Sequence, residues 1–147
     1  MGRGTDKCES KAFEIYTKLS EKEYINGKYR LGICYYLGIG TDTNKEKVFK
    51  ICKYLAEKEH NKAQFLLSYL YEKGEGTEKN LEKALYWYQK AAENGNEIGQ
   101  CNLGEHYELG NGIEKDEFKA FEYYKKSAEN GCMDAKFYLG YCYVNGI

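Results

Sequence analysis

Six cysteines and two histidines are the side chains of this sequence best suited to hold a metal or attack an electrophile. Their spacing decides whether they could. Zinc sites are built from pairs such as Cys-x-x-Cys, because one short segment then supplies two ligands at a fixed separation. Cys8, Cys34, Cys52, Cys101, Cys132 and Cys142 contain no such pair, and His60 and His106 lie far apart. Nucleophilic catalysis needs a Cys or Ser beside an oriented imidazole, and no local motif proposes that geometry. Two further signals point to other chemistry. "GIG" at 38–40, "GEG" at 74–76 and "GNG" at 110–112 could cradle a phosphate, and the run Leu85, Tyr86, Trp87, Tyr88 could stack on a flat ligand.

Comparing the chain with itself removes most of these readings, because the same residue types return every 36 positions. Such a period is the signature of a repeat array. "LEKALYWYQKAAENG" at 81–95 is matched by "EFKAFEYYKKSAENG" at 117–131. Leu31, Leu67, Leu103 and Leu139 fall in one column, Gly32, Ser68, Gly104 and Gly140 in the next, and Tyr35, Tyr71, Tyr107 and Tyr143 in a third. A second set runs Lys11, Lys47, Lys83, Lys119, then Ala12, Val48, Ala84, Ala120, then Ser20, Ala56, Ala92, Ala128, then Glu21, Glu57, Glu93, Glu129. A ligand box is rarely built twice, so the aromatic run reads as packing. Trp87 shares its column with Ile15, Ile51 and Tyr123, and a large apolar residue at a periodic inward position is normally inside. His106 shares a column with Cys34, Leu70 and Cys142, which is no ligand set. Phosphate loops need strand, Gly-rich turn and helix in that order. Here Gly-x-Gly follows a helical pattern at every period and terminates it.

Each period splits into two helices. Ala63, Leu67 and Tyr71 at i, i+4, i+8 form one stripe of the first, helix A, which the glycines close in a left-handed conformation. Asn44, Asn80 and Asp116 open the second, helix B, as acceptors for its free N–H groups. Its inward stripe runs Ala84, Trp87 or Tyr88, Ala91 and Ala92; Glu14 and Lys18, Glu46 and Lys50, and Glu122 and Lys126 make outward i, i+4 pairs. "ENG" at 93–95 and 129–131 stops it. The expected boundaries are B 9–22, A 26–37, B 44–58, A 61–73, B 80–94, A 97–109, B 116–130 and A 133–144. The expected fold is all-α: a right-handed α-α superhelical solenoid of antiparallel helix pairs, each touching its neighbours. Residues 1–7 are expected to be a short disordered lead, and 8–147 the array, in B-A units of about 8–43, 44–79, 80–115 and 116–147.

Composition narrows the function classes. The 22 basic and 23 acidic residues leave a net charge of −1, without the basic excess that nucleic-acid binding requires. The longest apolar runs, such as "ICYYLGI" at 33–39, fall well short of the ~20 residues that cross a bilayer, so no membrane insertion is expected. "MGRGTDK" lacks a signal-peptide core, and Asp6 stands where a myristoylation motif wants Ser or Thr. The cysteines occupy five repeat positions, and the two that share one, Cys34 and Cys142, lie three repeats apart, too far to bridge. Free thiols in a reducing, cytoplasmic compartment are expected.

Ala-x-x-x-Leu-Gly-x-x-Tyr, then Gly-x-Gly, then Lys-Ala-x-x-Trp/Tyr-Tyr-x-Lys-Ala-Ala-Glu-x-Gly resembles the Sel-1-like repeat (SLR), a relative of the tetratricopeptide repeat, from about Ser10 onward. The resemblance is loosest at 44–60, where Val48 replaces Ala and "ICKYLAEKEH" lacks its closing Gly; Gly27 and Gly99 also stand where Ala63 and Ala135 do. It implies a non-catalytic scaffold or adaptor for protein or peptide partners, with no cofactor and no metal. A cysteine-rich branch of the family is associated with β-lactam binding, but neither Ser-x-x-Lys nor regular cysteine pairs occur here. By analogy with tetratricopeptide repeats, the partner-binding concave face would consist of Tyr29, Ile33, Tyr36, Phe65, Tyr69, Glu72, Glu105, Glu108, Phe137, Tyr141 and Val144. Aromatic side chains there would give contact area at little entropic cost. The alternative is a structural or regulatory arm of a larger signalling protein, such as a kinase carrying these repeats. The sequence stops at "VNGI" with "FYLGYCYV" apolar almost all round, which suggests a fragment or end-to-end self-association through that helix.

Overall fold

The computed structural model describes residues 3–147 and forms eight helices among them: α1 (Arg3–Glu21), α2 (Ile25–Leu37), α3 (Lys45–Glu57), α4 (Asn61–Lys73), α5 (Leu81–Glu93), α6 (Glu97–Leu109), α7 (Glu117–Glu129) and α8 (Met133–Asn145). The odd helices are the B elements and the even ones the A elements. Seven of them start and stop within a residue or so of the sequence expectation. The exception is α1, which starts at Arg3 rather than 9 and so runs into the lead expected to be disordered; residues 1 and 2 lie outside the described residues. No proline halts it, and the Ser10 hydroxyl donates to the Asp6 carbonyl at 3.0 Å inside the extra turns.

Each helix packs against its neighbours in sequence, as a solenoid requires. The core is a ladder in which rings and aliphatic side chains of one helix enter the small-residue columns of the next. Leu67, Leu103, Val48, Ala84 and Ala120 are sealed from solvent. The Tyr124 ring fills the space over Gly104, where a Cβ would stand 2.7 Å from the ring edge. That close approach explains the glycine. The segment with the loosest repeat match packs as tightly as the others, since Val48, Cys52, Leu55 and Ala56 are all buried.

The sequence reading of the Trp87 column needs correction. Ile15 is 56% exposed and Trp87 is half-buried, while the next residue in the helix, Tyr88, is 1% exposed, as is Tyr124. One residue is about 100° of helical rotation, so the stripe is centred on Tyr88 and leaves Trp87 on its flank against the exposed Tyr86, 5.1 Å between ring centroids. Of the three expected outward ion pairs, Glu14–Lys18 closes, at 2.6 Å.

The junctions follow one plan. Asn44, Asn80 and Asp116 accept from the backbone N–H of Lys47, Lys83 and Lys119 at 2.9–3.0 Å. Gly74 caps α4 at φ 73°, and its N–H donates to the Leu70 carbonyl. Gly76 does something else. At φ 70° it lies against the Lys45 carbonyl, so the loop touches the first turn of α3. Gly-x-Gly is therefore a helix stop followed by a backbone contact. Where the closing Gly of helix B is replaced, Glu59 itself takes the left-handed conformation at φ 61°.

Candidate functional site: the A-helix face

The eleven residues expected on the concave face lie on α2, α4, α6 and α8 at i, i+4 and i+7, so each helix contributes one stripe. Tyr29, Ile33, Tyr36, Phe65, Tyr69, Glu72, Glu105 and Glu108 are partly exposed; Phe137, Tyr141 and Val144 are exposed. The stripe is not uniform. Cys101 occupies the column of Tyr29, Phe65 and Phe137, and it is buried, so the aromatic lining breaks at α6 and two carboxylates stand there instead.

Several of these side chains already serve the fold. Glu72 accepts a hydrogen bond from the Tyr88 hydroxyl at 2.7 Å, Glu108 one from Tyr124, and Glu105 one from Tyr138 at 2.7 Å. The first two satisfy the phenols of Tyr88 and Tyr124, which would otherwise be buried unpaired at about 1–3 kcal/mol each, while Tyr138 is only partly buried. Burial pushes the Glu72 carboxyl up, but hydrogen bonds from Tyr88 and Lys73 outweigh it and hold the group below its ordinary range, charged at neutral pH. The Tyr138 hydroxyl is pushed up to about 12, first by its bond to Glu105 and then by burial. Tyr36 is pushed up to about 12 by burial, with Glu75 and Tyr69 adding to it. The Lys45 ammonium lies 3.1 Å from the centre of the Tyr36 ring and 3.1 Å from Glu75. Phe65 leans on Tyr88 with centroids 6.1 Å apart, and Phe137 on Tyr138 at 5.7 Å.

Two clefts open beside the stripe. One of about 660 Å³ between α2 and α4 takes in Tyr29 and Ile33 together with Arg30, His60 and Lys62, which sequence reasoning missed. The other, of about 450 Å³ between α6 and α8, takes in Glu108 and Tyr141 with Lys115 and Glu117. The signal that could have found Arg30 and Lys62 is their departure from the period: one repeat later their columns hold Leu66 and Ile98. A third cleft, of about 610 Å³, lies on the outer side between Tyr107, Phe118 and Tyr123, with lysines and glutamates of both signs around it.

Reactive groups are placed for packing. Cys52 and Cys101 are pushed up to about 12 by burial, and Cys34 and Cys142 are raised by the same cause, so these thiols stay protonated and are poor nucleophiles. His106 is buried with its Nδ1 2.9 Å from the Asn111 carbonyl and its ring 5.5 Å from Tyr88. Among the described residues no three His, Cys, Asp or Glu side chains converge to hold a metal ion, and no helix is long and apolar enough to cross a membrane.

The family model for the Sel1 repeat matches residues 25–58, 61–96, 98–132 and 134–147. Solved structures agree. A Sel1 repeat protein from Oxalobacter formigenes is 32% identical with a TM-score of 0.88, over 94% of this chain and 56% of that one. A protective antigen present in uropathogenic Escherichia coli strains, displaying an SLR fold, is 34% identical with a TM-score of 0.85, over 93% of this chain and 30% of that one. Helicobacter pylori cysteine rich protein B is 27% identical with a TM-score of 0.72, over 95% of this chain and 100% of that one. This chain thus spans little more than half of the first and under a third of the second. No curated protein sequence matches it. The chain belongs to the Sel1 repeat family, an all-α solenoid that generally serves as a non-catalytic scaffold for protein–protein interaction.

Proposed function

We propose that this array is a scaffold or adaptor that holds a peptide or protein partner along its concave A-helix face, without catalysing a reaction. The observation that carries the reading is the row of partly exposed Tyr, Phe and Glu side chains on successive A helices, flanked by two clefts. Tyr and Phe offer large contact areas with few torsions to freeze, which suits recognition of an extended segment. Protonated, buried cysteines and a histidine engaged with backbone support the non-catalytic part. The same buried thiols suit a reducing, cytoplasmic setting.

The test is affinity purification from native cells with the wild-type chain beside Phe65→Ala, Tyr69→Ala, after circular dichroism shows equal helicity. Loss of a specific partner supports the groove; retention of every partner removes it. A second reading, a structural or regulatory arm of a larger protein, rests on the small share of two relatives that this chain spans. End-to-end self-association through α8 is a further part of the proposal, supported by Phe137, Tyr143 and Val144, exposed at 73%, 63% and 86%. Sedimentation over a hundredfold concentration range decides it: a mass that rises with concentration supports association, and a constant monomer mass ends it.

A further inference from the structure

The α2/α4 cleft differs in chemistry from the rest of the A-helix face. Its charged walls are the Arg30 guanidinium and the Lys62 ammonium, and among the described residues no carboxylate lines it. Among the described residues neither cation has an acidic partner within 4 Å, whereas Lys28, Lys45 and Lys73 are each paired. Glu23, the acid that precedes α2, is occupied by Lys28 and by the Tyr54 hydroxyl. His60 adds a donor for a definite reason. Its Nδ1 accepts the Ala63 backbone N–H at 3.1 Å, so the proton of the neutral ring must sit on Nε2. Burial and the neighbouring Lys62 lower its pKa and keep the ring neutral. Tyr29, whose ring is tilted against that of His60 with centroids 4.8 Å apart, and Ile33 supply an apolar floor. Asn61 gives one of its two amide N–H groups to the Asn94 carbonyl and Asn26 adds a second amide to the lining, while the positive charge of the cleft comes from Arg30 and Lys62 alone.

Charge is also ordered along the face. The positions of Asn26 and Lys62 hold Ile98 and Asp134 further on, and that of Ile33 holds Glu105, so the cations that line this cleft are not repeated at the matching places on α6 and α8, although Glu72 puts one acid on α4 as well. In a chain of net charge −1 this difference is local, not a consequence of composition. Resting on the groove reading above, we infer that the α2/α4 cleft receives a carboxylate-bearing segment of the partner peptide, with an adjacent apolar side chain on Tyr29 and Ile33. The peptide's acidic part therefore lies over α2 and α4. Two cations facing one carboxylate in a partly enclosed cleft give charge-assisted hydrogen bonds, the strong class.

The probe is the peptide acetyl-Ala-Asp-Leu-Asp-Phe-Ala-amide, titrated into the full chain by calorimetry and by backbone amide NMR. Its Asn-for-Asp analogue, with either an amide or a free carboxylate at the end, separates side-chain from terminal carboxylate. The expected result is binding with amide shifts concentrated at residues 26–33 and 60–62. Replacing both Asp residues should weaken it at least tenfold, with the free carboxylate restoring affinity if the terminus is the source. Arg30→Gln and Lys62→Gln, both at exposed positions, should each weaken it about tenfold, the size of one charge-assisted bond. Equal binding of all three peptides, shifts elsewhere, or variants that bind like wild type would overturn the inference. The two proposals fail separately. Partner capture lost in Phe65→Ala, Tyr69→Ala with no acidic-peptide binding leaves the groove and removes the cleft; partners retained in that variant remove the groove.

Discussion

Alanine at Gly76 should cost far more stability than alanine at Gly95, and the difference measures what Gly-x-Gly is for. Both glycines are left-handed, at φ 70° and φ 80°. A Cβ at Gly95 meets nothing within 4 Å, so Gly95→Ala isolates the conformational cost. That is about 1–2 kcal/mol for an L-residue in this region, reduced by about 0.4–1 kcal/mol because alanine also restricts the unfolded chain. A net loss of about 1 kcal/mol follows. At Gly76 the same Cβ would overlap the Lys45 carbonyl and stand 3.0 Å from the Glu46 nitrogen. Those atoms belong to the first turn of α3, held by the Asn44 side chain, and cannot rotate away as a side chain could. Overpacking of this kind adds about 1–3 kcal/mol, for a total of roughly 2–4 kcal/mol. For a chain of this length each kcal/mol lowers Tm by about 2–4 °C, so the expected losses are about 5–15 °C for Gly76→Ala and about 2–4 °C for Gly95→Ala. The assay is thermal and urea unfolding by circular dichroism at matched concentration. Equal losses at the two sites would refute the packing account and return Gly-x-Gly to the class of loops kept open for a ligand.

Two further outcomes are expected. Glu59→Gly should stabilise the chain by about 0.5–1 kcal/mol, since glycine removes the left-handed strain at φ 61° and the closing position after α5 and α7 already holds Gly95 and Gly131; a destabilised variant in urea titration would contradict it. His60→Asn should flatten the pH dependence of stability between pH 7 and 5. The folded-state pKa of His60 lies below that of the unfolded chain, so its contribution is complete above about pH 6.5 and is lost as pH falls toward the folded value, when protonated Nδ1 can no longer accept from Ala63. Asn keeps the cap without titrating, as Asn96 does at the equivalent place with a 2.7 Å bond to Gly99. Glu72, Glu93 and Asp116, all lowered, lose their contributions only in the more acidic carboxylate range, so the two windows are distinct. Parallel wild-type and variant profiles from pH 7 to 5 would defeat the assignment.

The helices were legible because their punctuation is chemical: Asn80 and Gly74 can be read as a cap and a stop before any packing is known. Angular phase was harder. Trp87 and Tyr88 are both aromatic and adjacent, so hydrophobicity cannot say which one enters the core, and the gap beside Ser68 and Gly104 decides for the slimmer ring. The start of α1 was missed because continuation of a helix without a stop carries no signal of its own. On the A-helix face, the pattern located Tyr29 and Ile33 but not the cleft they share with His60, whose wall comes from a turn 27 residues further along the chain.

Periodicity and recognition are separable here, and that gives the aperiodic columns their meaning. Leu31, Leu67 and Leu103 repeat because every junction imposes the same packing, so any side chain repeated in all units is accounted for by the fold. Residues that change from unit to unit on a face with the same backbone geometry are under no such demand. The columns through Asn26, Arg30 and Ile33 change in charge and size over the four A helices: the first passes from Lys62 to Asp134, the second loses its cation after Arg30, and the third gains an acid at Glu105. A structural role would favour one solution four times. A partner that lies across the units, with different chemistry along its length, favours four different ones, and the cleft lined by Arg30 and Lys62 is one such difference.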